Sequence, residues 1–144
     1  MPAAARQGQR ILIALPKPLL WLGSAALTVL IVALSIVPGV PKPGDSAFVW
    51  AVAKTPGALQ NAMHVVVYAA LVVSWYLTLA NRRRGFKLLT AIAAAAIIFG
   101  AILEYVQLSV PGRFGSLFDA GLNTAGVVVG AIVITTVVMP RNQR

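Results

Sequence analysis

Four long apolar runs, at residues 19–37, 59–80, 88–110 and 117–139, dominate this 144-residue chain. At about 1.5 Å per residue, each is long enough to cross a bilayer as a helix. The first has no charged residue and follows a basic stretch holding Arg6, Arg10 and Lys17. A secretory signal peptide competes for this run, but its apolar core is usually about 7–15 residues with a small-residue cleavage site behind it, so a retained first helix is expected. Pro38 ends the run, and the segment that follows is rich in proline and glycine (Pro41, Pro43, Gly44, Pro56, Gly57). Within it, Phe48 to Ala53 is apolar but too short to cross. Phe48 and Trp50 suit the membrane–water interface, where a short re-entrant or surface helix and an irregular loop fit equally.

Polar residues inside the apolar runs are few. The second run carries Asn61, His64, Tyr68 and Trp75; the third, rich in alanine around Gly100, carries Glu104 and Gln107. A turn at Pro111 and Gly112 then presents Arg113, and the fourth run opens with Asp119, Asn123, Gly126 and Gly130. At about 100° per residue these last four form one stripe on a helix. Such a stripe faces protein, because lipid tails would leave its polar groups unpaired.

Composition agrees with the pattern. A hydrophobic content of 59% and 10% charged residues do not suit a water-soluble globule. The expected fold is all-α, a polytopic four-transmembrane-helix bundle: a basic segment at 1–18, a membrane domain at 19–139 and a tail at 140–144. The net charge of +9 would suggest nucleic acid only on a polar scaffold, and here the basic residues lie between apolar runs. Without cysteine there are no disulfides and no thiolate ligands, and one histidine is too few for a histidine metal cluster. No cofactor, metal or nucleic-acid partner is expected.

Charge also sets an expected orientation. With both termini in the cytoplasm, the inside segments hold Arg6, Arg10, Lys17, Arg82, Arg83, Arg84, Lys87, Arg141 and Arg144, nine of the 12 basic residues. The Lys/Arg excess marks the cytoplasmic side, so the termini are expected there. His64, Glu104, Gln107, Arg113, Asp119 and Asn123 then share one depth near the outer face. Glu104 precedes Pro111 by seven residues and so lies roughly 10 Å below the helix end. A carboxylate at a helix centre costs about 2.5–3.5 kcal/mol on insertion scales, less toward the interface. Arg113 and His64 are its expected partners.

These six residues are the expected binding set. Each also has a plainer reading. Ser116-x-x-Asp119 fits a helix start, Asn123 fits a hydrogen bond between helices, and Gly126-x-x-x-Gly130 fits close helix packing. His64, Tyr68 and Trp75 fit a packing face, and Arg113 an anchor for phospholipid phosphates.

Glu104-x-x-Gln107, Pro111-Gly112-Arg113 and Ser116-x-x-Asp119-x-x-x-Asn123-x-x-Gly126-x-x-x-Gly130 together resemble the VanZ-like family of small membrane proteins. His64-x-x-x-Tyr68 matches as well, so the resemblance covers about residues 59–130. Where many members have an Asp-Lys pair just before the histidine, this chain has Gln60 and Asn61. The resemblance implies a multi-pass protein of the bacterial cytoplasmic (inner) membrane, serving the cell envelope. Name-giving members are associated with lowered sensitivity to teicoplanin.

The function expected first is engagement of a lipid or glycolipid headgroup at the outer leaflet, in company with envelope-glycan proteins. Two others stay open: a membrane enzyme using His64 as acid or base, and a proton-coupled transporter. The oligomeric state is open too.

Overall fold

A computed structural model describes residues 15–80 and 85–139. Its elements are α1 (Lys17–Ser35), α2 (Ala47–Ala53), α3 (Gly57–Leu79), α4 (Gly85–Gln107) and α5 (Leu117–Val133), the last continued by a π-helical turn, Ile134–Val138. Four of these segments are long and apolar enough to cross a membrane: α1, α3, α4, and α5 with its π turn. The all-helical, four-span expectation therefore holds. Arg6, Arg10, Arg82, Arg83, Arg84, Arg141 and Arg144, which carry most of the orientation argument, lie outside the described residues.

Helix ends follow local chemistry. Residues preceding a proline avoid the helical region, which stops α1 short of Pro38 and α4 short of Pro111. Beyond α4, Leu108, Ser109 and Val110 donate to carbonyls three residues back, tightening the end into a turn. The π turn closes with Met139 donating to Ile134 at 2.8 Å. The short segment at Phe48 is helical: Ser46 accepts from Val49 and starts α2. Lys54 sits 5.0 Å above the Trp50 ring, a contact that keeps the cation with the aromatic face.

Packing centres on α3, which meets α5 most closely and also carries α1 and α4. The α3–α5 approach depends on two glycines. A Cβ at Gly126 would stand 2.5 Å from the Val65 carbonyl oxygen, and one at Gly130 would stand 2.8 Å from that of Ala69. The expected small-residue packing motif is therefore a backbone-to-backbone contact.

Helix α1 is peripheral, with 11% of its apolar stretch buried inside the chain against 28–33% for the others. Polar pins hold it to α3. The hydroxyls of Ser24 and Thr78 lie 2.8 Å apart, and Trp75 Nε1 donates to Thr28 at 3.1 Å. Trp21 meets Trp75 edge to face at 5.6 Å. At the other end of α1, Gly39 donates to the Pro111 carbonyl at 3.0 Å, fixing the α1–α2 connection against the α4–α5 connection. Gly112 turns there with φ +71°, a left-handed conformation that glycine adopts without strain.

Candidate polar site beneath the loop end

Glu104 faces into the bundle from the last turns of α4 and is 6% exposed. Its Oε1 accepts from Asn123 Nδ2 at 3.2 Å, and its Oε2 accepts from the backbone N–H of Ser116 at 3.1 Å. The second bond depends on Gly115, where an added Cβ would land on the Glu104 carbonyl oxygen. Only a glycine lets the loop pass this close and present the next N–H to the carboxylate.

Ser116 itself caps α5, accepting from Asp119 N at 3.0 Å. In a capping box the acidic residue three positions on would take the cap's own N–H. Here Glu104 takes it from another helix.

Asn123 is the hinge of the arrangement. Its Oδ1 lies 2.7 Å from His64 Nδ1 while its Nδ2 faces Glu104, so one amide joins α3, α4 and α5. A carboxylate only accepts, which fixes the amide's direction: Nδ2 toward Glu104 and Oδ1 toward His64. Nδ1 of His64 therefore donates, and Nε2 is left over. Buried polar groups that are mutually satisfied in this way hold three helices in one register.

These contacts correct the expected pairing. Glu104 bonds to neither Arg113 nor His64; Asn123 and a backbone N–H stand in their place. Arg113 reaches α1 instead, with Nε donating to the Val37 carbonyl at 2.9 Å and Nη2 to that of Leu34 at 3.1 Å. Those carbonyls lie at the helix C-terminus, which is the end that attracts a cation. The remaining guanidinium N–H groups are unengaged among the described residues.

Five of the six expected residues, His64, Glu104, Gln107, Arg113 and Asn123, line one cavity of about 220 Å³. Gln107, 6% exposed, brings an amide with no hydrogen-bond partner among the described residues. Asp119 does not line the cavity. It stands half-buried in the first turn of α5, where a negative charge favours the free N–H groups of a helix start.

Several lining residues lay outside the expected set. Gln60 and Tyr68 sit four residues either side of His64, so α3 presents all three on one face. That spacing was visible in the sequence. The apolar wall from Leu30, Ile31 and Leu34 was not, because a uniformly apolar helix gives no sign of which side will line a hollow.

A family-level match spans residues 22–138, with the description VanZ/LLP1. The chain belongs to the VanZ/LLP1 family. The match extends beyond the motif-bearing residues to take in most of α1, the helix that walls the cavity and receives Arg113. No curated protein and no solved structure matches the chain.

Proposed function

We propose that the cavity receives the polar headgroup of a membrane lipid or glycolipid. One observation carries this reading. The Gln107 amide, His64 Nε2, the Tyr68 hydroxyl and the spare N–H groups of Arg113 all belong to residues around one cavity, at the polar end of an otherwise apolar bundle. Arg113 supplies positive charge for a phosphate, and its planar fork suits such an anion. Gln107 and His64 supply a donor–acceptor set for hydroxyls. Glu104 and Asn123, already bonded, hold that set in place. The Lys/Arg distribution along the sequence supports an opening toward the outer leaflet, and family membership supports an envelope setting.

Native mass spectrometry of the detergent-purified protein tests this with added lysophosphatidylglycerol. Wild type is expected to hold one lipid. Arg113→Ala or Glu104→Gln is expected to lower retention about tenfold, the effect of losing roughly 1.4 kcal/mol. Equal retention in all three proteins overturns the proposal. A link to teicoplanin-type tolerance is a separate proposal, checked by drug sensitivity of a host expressing wild type or Glu104→Gln.

The His64–Asn123 bond favours a second reading, a membrane enzyme acting on the same headgroup. With Nδ1 held by Asn123, Nε2 is free to take or give a proton, provided a reacting group comes within about 3 Å. Release of headgroup from lysophosphatidylglycerol, lost in His64→Gln, is the expected signature; no release by wild type sinks it.

A proton-coupled transporter is less well supported. The three carboxylates Asp45, Glu104 and Asp119 and the single histidine all lie toward the cavity end of the fold. Deeper along α1 and α3, Ser24, Thr28, Ser74 and Thr78 are bonded to neighbouring hydroxyls or helix carbonyls.

A further inference from the structure

A second hollow, of about 210 Å³, lies on the same helices. Its walls continue those of the cavity. Ile31, Val67 and Leu103 line the cavity, and Thr28, Leu71 and Phe99, one helical turn deeper on α1, α3 and α4, line the hollow. The hollow runs on to Leu79, the last residue of α3, and to Ile92 on α4, toward the end of the bundle away from the cavity. It owes its existence to the placing of α1, which packs on α3 and barely touches α4, so that a slit runs between α1 and α4.

Water does not suit this space. A buried water needs two to four polar partners. The polar groups here are Thr28 and Trp75, and they are bonded to each other, with the Thr28 hydroxyl donating on to the Ser24 carbonyl. An empty hollow beside hydrocarbon forfeits dispersion contacts along its whole lining. Its natural occupant is hydrocarbon.

We infer that the hollow seats one alkyl chain of the lipid whose headgroup enters the cavity, which makes the ligand a phosphate-bearing amphiphile lying along α3 between α1 and α4. This rests on the headgroup reading for the ligand's identity. The chain's seat rests on its own geometry. The amphiphile enters sideways through the α1–α4 slit, chain and headgroup together, with no passage through the loops.

Ala95 allows the test. It lines the hollow from α4 yet is exposed, so a larger side chain there fills the slit without entering the core. Ile98, 60% exposed on the same helix and outside the hollow, serves as control. Retention of lysophosphatidylglycerol by detergent-purified full-length protein is measured by native mass spectrometry. Ala95→Trp is expected to lower retention about tenfold, by taking the space of the chain, and Ala95→Leu less so, while Ile98→Trp keeps the wild-type level.

Unchanged retention in Ala95→Trp, or an equal loss in Ile98→Trp, overturns the chain seat. Adding Glu104→Gln separates the two claims. If Glu104→Gln loses the lipid and Ala95→Trp keeps it, the headgroup reading stands and the chain seat falls. If Ala95→Trp loses it and both Glu104→Gln and Arg113→Ala keep it, the chain seat stands and the headgroup reading falls. Thermal unfolding of each variant at the wild-type temperature confirms that the substitution has not unfolded the bundle.

Discussion

Asn123 is the residue on which the polar site turns. It is 2% exposed and satisfies Glu104 and His64 at once, so its removal takes the partner from Glu104 Oε1 and from His64 Nδ1, while Glu104 Oε2 keeps the Ser116 N–H. Leaving a buried group unsatisfied costs about 1–3 kcal/mol. Asn123→Ala is therefore expected to lower the unfolding temperature in detergent, and Asn123→Leu, which fills the volume but not the bonds, to do no better. Equal stability of Asn123→Leu and wild type would show that the three-helix link contributes little. Arg113 shows why a charged residue should be read with its neighbours: half its work is to cap α1, so Arg113→Ala is expected to loosen α1 as well as weaken anion binding.

At the scale of elements, α3 and α5 meet through backbone. At Gly126 an added Cβ would press on the Val65 carbonyl oxygen, which cannot move without moving α3. Gly126→Ala is expected to cost about 1–3 kcal/mol, the usual range for overpacking. Gly23 on α1 is the contrast, since a Cβ there meets nothing within 4 Å. Gly23→Ala is expected to be neutral or to stabilise by up to about 1 kcal/mol, because alanine is the better helix former. Thermal melts of the two variants in one detergent check both, and a reversed order would contradict the packing scheme. Helix α1, pinned to α3 by hydroxyls and one indole N–H and barely touching α4, is the element that borders the slit.

At the scale of the whole molecule, the residues that line the cavity sit at one end of the bundle. Among the described residues, the polar side chains around the cavity gather at the end formed by the α1–α2 and α4–α5 connections, while deeper along α1 and α3 the hydroxyls of Ser24, Thr28, Ser74 and Thr78 are bonded to neighbouring hydroxyls or helix carbonyls. The absence of cysteine from the sequence permits clean single-cysteine labelling of the two ends. Lys42→Cys, at an exposed position of the α1–α2 connection, is expected to react with a membrane-impermeant maleimide from outside the cell, and Gly85→Cys, at the opposite end, only after permeabilisation. The reverse pattern would invert the bundle and put the cavity in the inner leaflet.

Four spans, their breaks at Pro38 and Pro111, the cap at Ser116 and the glycine stripe were legible in the sequence. Helical periodicity, proline and capping act over a few residues, and the residues themselves specify them. That polar groups on separate helices share one depth was also legible, because depth follows from rise per residue. What the linear chain could not specify is azimuth. Whether Glu104 meets Arg113, His64 or Asn123 depends on how each helix is rotated against the next, and the close passes at Gly115, Gly126 and Gly130 decide it. Asp119, on the same face as Asn123 but one turn nearer the start of α5, falls outside the cavity, while azimuth made apolar α1 one of its walls. Opposite charges nearby in sequence suggested a pair, but in the folded chain a helix end held Arg113 and an amide held Glu104, since hydrogen-bond geometry is satisfied only between groups the packing brings face to face.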